Sequence, residues 1–309
     1  MDHEQKRLFR KDIGYHIRGL IWYFLVIYFV TGISAAVLQR GGMDENSTAG
    51  TASIISVLTG VGVLFIRNTL FDKKSDIFKK PEKQMHLNTF AKFFFLVLML
   101  QFLFSTITSF IECVLNAMGF TMEMAVSLAS GGYDFSIAMI AYAGVIGPAA
   151  EEVVFRGLLL KGLQTYGKVF ALMITSLLFG LGHLNPVQMG LAIPMGILLG
   201  YIAMEYSIKW AILLHITNNL FLGNVFEWLL DQLPETMSYI TYYGCLTAGF
   251  VIGIMVLVKE RGKLKKWFSD NAAPKEYYKW AVTQPSVIIL CIFAILMNVV
   301  MMALSITAF

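Results

Sequence analysis

The sequence predicts an all-α fold, a polytopic membrane helical bundle of about nine transmembrane helices. Composition is the first observation: 57% of the 309 residues are hydrophobic and only 14% are charged, against about 25% charged residues in soluble domains. The second is a series of long charge-free stretches, and the third is the grouping of basic residues between alternate stretches. Together with a mean hydropathy of +0.67, these features exclude a disordered chain and argue against a soluble enzyme.

The predicted spans follow from the rule that a helix needs about 20 apolar residues to cross the hydrocarbon layer. The first apolar run is too long for a signal peptide and has no clear small-residue cleavage site, so we expect it to remain as a helix. The predicted spans are residues 19–38, 46–66, 93–111, 135–150, 169–182, 184–204, 210–226, 236–258 and 280–309.

The distribution of Lys and Arg predicts the orientation of the bundle. With the N-terminus in the cytoplasm and spans that alternate in direction, all of the 24 basic residues except Arg40 fall on the cytoplasmic side. This places the C-terminus outside. We expect the basic loops 67–92 and 259–279 to lie against anionic lipid headgroups, and nothing in the sequence indicates a nucleic acid partner.

Ionisable residues inside predicted spans are costly and are therefore functional candidates. In the segment that begins at Pro148, Glu152 and Arg156 are four residues apart and share a helical face, so they can form an ion pair. Glu151 points about 100° away and is left free to act as a base. Pro148 interrupts the preceding helix or starts a new one. The alternative is a solvated ion-pair cluster at the cytoplasmic end of a span.

Two further polar positions occur in later spans. His183 precedes the helix-stopping pair Asn185-Pro186, and His215 lies on one helical face with Asn219. Taken singly, His183 could be a helix cap, and the His215–Asn219 pair could be a contact between helices. Glu151 and His183, however, each lie about 15 residues from the predicted cytoplasmic turn at 167–168, or about 22 Å at the rise of a helix. We therefore expect these groups to converge within the membrane.

The combination suits amide hydrolysis. A carboxylate and an imidazole on adjacent helices can hold and deprotonate a water, and a second imidazole with an amide can donate to an oxyanion. Alternatively, a metal such as zinc would be held by Glu151, Glu152, His183 and His215. We favour a reaction without a metal or other cofactor, because Asn219 is a poor zinc ligand and Arg156 occupies Glu152. The His-Glu-x-x-His, Gly-x-Gly-Asp and Gly-x-Ser-x-Gly motifs of other proteases are absent from the sequence.

Three ordered motifs carry a resemblance to a known family. Glu151-Glu152-x-x-x-Arg156, Phe179-x-x-x-His183 and His215-x-x-x-Asn219 resemble the motifs of the CAAX prenyl protease and bacteriocin-processing (CPBP, or Abi) family of intramembrane endopeptidases. The resemblance implies that Glu151 and His183 activate water and that His215 and Asn219 form the oxyanion site. Glu152 and Arg156, which share a helical face, are expected to support this site through their ion pair. It also implies a cavity open to lipid. We expect one membrane domain, 1–309, with N-terminal spans in 1–134, the CPBP-like core in 135–228 and C-terminal spans in 229–309.

Two functions of different class follow. The first is an endopeptidase that cleaves a membrane-associated peptide or lipidated protein, in the plasma membrane of a bacterium. The depth and orientation of the site favour processing of an exported leader over cleavage of cytoplasmic CAAX tails. The second is a membrane scaffold, immunity or regulatory protein that binds a partner membrane protein and keeps the motifs for packing.

Overall fold

The computed structural model describes residues 3–70, 83–129 and 136–308 and is almost entirely helical. The first four helices are α1 (His3–Arg40), α2 (Glu45–Leu70), α3 (Leu87–Ala117) and α4 (Glu123–Ala129). The next four are α5 (Ile137–Tyr166), α6 (Lys168–Gly182), α7 (Pro186–Glu205) and α8, which begins as Ile208–Ile216 and continues through Thr217–Val225 and Phe226–Asp231. The last three are α9 (Glu235–Asp270), α10 (Lys275–Val282) and α11 (Pro285–Ser305).

Helices α5 to α8 form the centre of the bundle. The pair α1 and α2 packs on one side of this centre, and the pair α3 and α9 packs on the other. Small residues allow the closest approaches: a Cβ on Gly180 of α6 would lie 2.3 Å from Ile193 of α7, and a Cβ on Gly249 of α9 would lie 2.5 Å from Leu98 of α3. Without a hydrophobic driving force in lipid, such close packing is a main source of helix association.

Helix α5 is continuous, but it is not a regular α-helix. Widened π-helical turns occupy Tyr142–Ile146 and Val153–Leu160, on either side of the α-helical stretch Gly147–Glu152. Pro148 therefore does not end the helix; the widened turn before it accommodates the missing backbone N–H. Gly167, with a φ of 117°, then forms the turn into α6.

Polar contacts join the helix ends that carry basic residues. Glu205, at the end of α7, accepts hydrogen bonds from Lys83, from Lys168 Nζ at 2.9 Å and from Trp267 Nε1 at 2.8 Å. The bond from Lys83 raises the pKa of that lysine. Lys92 of α3 likewise pairs with Glu260 of α9 at 2.6 Å. The contacts of Glu205 thus join the end of α7 to the start of α6, to the segment before α3 and to α9, all at one end of the bundle.

The opposite end is closed by a short strand pair. Phe120–Thr121, just after α3, pairs antiparallel with Thr307–Ala308, just after α11. Because α3 has 31 residues, this pair lies about 45 Å along the helix from the end tied by Glu205. Near the start of α1, Arg10 donates a hydrogen bond to Thr283, directly after α10, at the basic end. The two ends of the described chain therefore lie at opposite ends of the bundle.

Seven helices in the described part of the chain are long and apolar enough to cross a membrane: α1, α2, α3, α5, α7, α9 and α11. Many large apolar side chains on them are exposed, among them Phe29 at 70% and Phe110 at 69%, as expected for surfaces that contact lipid. The polytopic helical fold is confirmed. The other two predicted spans correspond to α6, which has only 15 residues, and to α8, so the count of nine stays a prediction. Lys73, Lys74, Lys79 and Lys80 of the basic loop, Phe135 and Phe309 lie outside the described residues.

Candidate active site

The centre of the site is an ion pair inside α5 that also contacts α8. Glu152 is fully buried, and Arg156 Nη1 lies 3.1 Å from Glu152 Oε1, which is the pairing that their spacing predicts. His215 of α8 places Nδ1 3.0 Å from the same oxygen. A carboxylate only accepts hydrogen bonds, so Nδ1 of His215 carries the hydrogen and donates it. Glu152 therefore fixes the orientation of the His215 ring.

Glu151 lies on the other side of His215. Its Oε2 is 3.8 Å from His215 Nε2, and its side chain is 31% exposed. The distance exceeds that of a direct hydrogen bond and is suited to a bridging water. Tyr23 of α1 and Tyr142 of α5 lie within electrostatic range of this carboxylate. Of the two neighbouring glutamates, the structure thus leaves Glu151 accessible and places Glu152 in the protein interior.

Phe179 of α6 connects His183 to this cluster. Its ring lies 4.8 Å from the His183 ring and 5.9 Å from the His215 ring, edge-on to both, and the Arg156 guanidinium lies 4.2 Å above it. His183 Nδ1 lies 2.8 Å from the carbonyl oxygen of Phe179. Because a carbonyl only accepts, Nδ1 carries the hydrogen, and in the neutral ring Nε2 keeps a lone pair with which it can accept a proton or a hydrogen bond.

Asn219 is one turn along α8 from His215, within the π-helical stretch Thr217–Val225. Its Nδ2 donates to the carbonyl of Ala143 in α5 at 3.2 Å, and its Oδ1 accepts from Asn218 at 2.8 Å. Since Nδ2 has two hydrogens, the contact with Ala143 leaves a second N–H. Gly144 permits the approach, because a Cβ there would lie 2.8 Å from Leu220 Cδ1.

A metal ion at this site would need three or more ligating side chains around one point. Within the described residues, no three His, Cys, Asp or Glu side chains form a group that could hold one. Glu152 Oε1 already serves Arg156 and His215, so one of the four predicted ligands is engaged. The arrangement of the described side chains therefore does not fit the predicted ligand set Glu151, Glu152, His183 and His215.

Some of the predicted site residues contact one another directly, and others are joined only through a third residue. Glu151, Glu152, Arg156 and His215 are in direct or near-direct contact, and His183 joins them through Phe179. His215 is the ionic neighbour of Glu151, at 3.8 Å, and the joint action of Glu151 and His183 on one water stays a prediction.

Sequence reasoning missed two further contributors. It did not find the bond between Glu152 and His215, which are 63 residues apart. It also passed over Gln101 of α3, which bonds to Asn218 at 2.9 Å. Gln101 is the only amide in the span predicted at 93–111, and this isolated polarity was the available signal.

The comparison with protein families concerns the segment that contains this site. Residues 133–221 match the family model Rce1-like, described as Type II CAAX prenyl endopeptidase Rce1-like. The resemblance to the CPBP family is thereby confirmed. The match includes every predicted site residue, from Glu151 to Asn219, and indicates a CAAX-type intramembrane endopeptidase. No curated protein and no solved structure matches the chain.

Proposed function

We propose that the protein is an intramembrane endopeptidase that hydrolyses a peptide bond in a membrane-associated or lipidated peptide, with Glu151 as the base. The placement of His215 carries this proposal. Its Nδ1 is anchored on buried Glu152, and its Nε2 faces the accessible carboxylate of Glu151 across 3.8 Å. A base and an oxyanion donor thus border one space.

The first step is attack by water. Glu151 accepts a proton from a water, whose oxygen bonds to the carbonyl carbon of the substrate as the C=O π pair moves to oxygen. His183 Nε2 accepts a hydrogen bond from the same water and orients it. The resulting tetrahedral oxyanion receives hydrogen bonds from His215 Nε2–H and the second N–H of Asn219.

The second step breaks the C–N bond. Glu151 returns its proton to the departing amide nitrogen, and the oxyanion collapses to a carboxylic acid. In this arrangement His215 donates from both nitrogens and is an imidazolium. Its charge and that of Arg156 balance those of Glu151 and Glu152, so the cluster is neutral as a whole. Because the cluster has no net charge, less free energy is needed to hold its four ionised groups inside the membrane.

The substrate class follows from the surroundings of the site. The catalytic groups belong to helices of an apolar bundle, and many of its outward side chains are exposed apolar residues. A peptide with an apolar leader, or a lipidated tail, partitions into the bilayer and reaches such a site sideways between helices. Location in a bacterial plasma membrane, with the N-terminus inside, is part of the proposal. Processing of an exported leader fits that orientation better than cleavage of cytoplasmic CAAX tails.

The test uses purified protein reconstituted in liposomes and presented with two peptide sets, apolar-leader peptides and prenylated CAAX peptides. Mass spectrometry should find a defined cleavage product with the wild type and none with Glu151→Gln. Absence of any product with well-folded wild type would contradict the proposal and favour a binding or immunity role.

Metal dependence is tested on the same preparation. Activity should persist after dialysis against a chelator. Stoichiometric zinc in the active protein, removed by the chelator together with activity, would overturn the mechanism without a metal.

A further inference from the structure

A chain of side-chain amides leads from α3 into the candidate site. Gln101 Nε2 donates to Asn218 Oδ1 at 2.9 Å, and Asn218 Nδ2 donates to Asn219 Oδ1 at 2.8 Å. Asn219 Nδ2 then donates to the carbonyl of Ala143 at 3.2 Å. Gln101 lies near the middle of α3, outside the residues 133–221 that match the family.

The carbonyl of Ala143 fixes the direction of every bond in this chain. A backbone carbonyl can only accept, so the amide of Asn219 must turn Nδ2 towards it. Asn219 Oδ1 then faces Asn218 and requires a donor, which makes Asn218 present Nδ2 there and Oδ1 towards Gln101. Gln101 must therefore present its own N–H₂ group. If any one of these amides rotated by 180°, two oxygens or two N–H₂ groups would face each other and their hydrogen bond would be lost.

Local backbone structure explains why the Ala143 carbonyl is available. In a regular α-helix it would accept from the N–H of Gly147, but in this π-helical turn that N–H donates to Tyr142. The next residue, Pro148, has no N–H to offer. A buried carbonyl without a partner is costly, so the amide of Asn219 is drawn to it.

We propose that Gln101 and Asn218 are positioning residues that hold the amide of Asn219 with Nδ2 turned towards the substrate. This inference rests on the proposed function, in which Asn219 donates to the oxyanion. Without the donor at Gln101, Asn218 loses the partner of its Oδ1 and can rotate away from Asn219. Asn219 is then held through Nδ2 by the Ala143 carbonyl alone, so its second N–H is no longer fixed in the direction of the oxyanion.

The first test measures kcat and KM for Gln101→Leu and Gln101→Met, both of which lack the donor. Thr106→Val is the matched control, since Thr106 is exposed on the same helix and bonds only to its own helix, at Phe102. We expect kcat to fall roughly tenfold with KM unchanged, less than the ~10²–10³-fold loss typical of removing an oxyanion donor. Thermal unfolding temperatures should stay close to that of the wild type.

A double-mutant cycle separates positioning from a general structural effect. In an Asn219→Ala background, Gln101→Leu should cause no further loss of kcat, because the group that Gln101 orients is gone. Losses that multiply in the double variant would overturn the proposal. So would an unchanged kcat in both Gln101 variants of an active enzyme.

A second readout does not depend on activity. In protein labelled with ¹⁵N at Asn, the side-chain amide resonances of Asn219, assigned by their absence in Asn219→Ala, should shift in Gln101→Leu and not in Thr106→Val. If the wild type cleaves no peptide, the proposed function fails. The Asn219 resonances then test by themselves whether Gln101 positions the Asn219 amide. Unchanged Asn219 resonances in Gln101→Leu would overturn it.

Discussion

At the scale of single residues, two adjacent glutamates have opposite environments. Glu152 is fully buried and shared between Arg156 and His215, whereas Glu151 is 31% exposed beside His215 Nε2. The roughly 100° between consecutive helical positions is enough to turn one carboxylate into the protein and the other towards an accessible space. The two side chains should therefore respond differently to the same substitution.

We predict that Glu151→Gln abolishes cleavage while its unfolding temperature stays near that of the wild type, because only the proton acceptor is lost. Loss of a general base typically costs about 10²–10⁴ in rate. Glu152→Gln should lower both stability and activity, since Arg156 and His215 lose a charged partner. Both variants are assayed on one membrane peptide beside thermal unfolding. Normal cleavage by Glu151→Gln, with a folded but inactive Glu152→Gln, would reverse the two roles.

We predict that Arg156→Ala acts mainly through stability. Arg156 is 2% exposed and its removal leaves Glu152 as a buried charge without its cation, which costs about 3–5 kcal/mol. The folded fraction in detergent, measured by size-exclusion chromatography and thermal unfolding, should drop sharply. Arg261→Ala, at an exposed position of α9, is the control and should behave as the wild type does. A fully stable but inactive Arg156→Ala would instead indicate a direct role for Arg156 in binding or catalysis.

At the scale of helices, widened turns in α5 and α8 face each other at the site. Tyr142–Ile146 contains Ala143, and Thr217–Val225 contains Asn219, so the bond between these residues joins two π-helical turns. Such turns are frequent at functional sites because they release a backbone group from the helical ladder. Pro148 was expected to interrupt or start a helix, and this widening is how α5 continues past it.

We predict that Gly144→Val separates α5 from α8 and reduces activity more than stability. A Cβ at this position would lie 2.8 Å from Leu220 Cδ1 and 3.2 Å from its Cβ, so the Leu220 side chain must rotate and the two γ-methyl groups of valine would then press on α8. The Asn219 bond to Ala143 should lengthen, with a loss of kcat of about 10-fold or more. Gly62→Val on α2 is the matched control, since a Cβ there meets no atom within 4 Å. Equal activity of the two variants would contradict the importance of this close approach.

At the scale of the whole molecule, the bundle has one end rich in basic residues and one closed by the strand pair. Contacts of Glu205 with Lys83, Lys168 and Trp267 tie the basic end. Positive charge that gathers at one end is typical of the cytoplasmic side of a membrane protein. The described chain starts at this end and finishes at the other.

We predict an N-terminus inside and a C-terminus outside. A reporter fused before Met1 should give a cytoplasmic signal, and one fused after Phe309 an extracytoplasmic signal, because the basic residues in 6–18, 67–92 and 259–279 then lie inside and Arg40 lies outside. A fusion at Gly42, between α1 and α2, serves as an internal control and should be extracytoplasmic. A cytoplasmic signal at the C-terminus would contradict an odd number of spans.

Sequence alone determined what depends on composition and on spacing within one helix. It predicted the helical membrane bundle, the ion pair between Glu152 and Arg156, and the helix end at His183, because hydropathy and the 3.6-residue period are local properties. Tertiary structure decided which glutamate contacts which histidine, and that Gln101 reaches Asn218 across 117 residues of sequence. Those contacts depend on the relative height and rotation of separate helices. Close packing at positions such as Gly144 and Gly180 sets both, and no periodicity within a single helix encodes them.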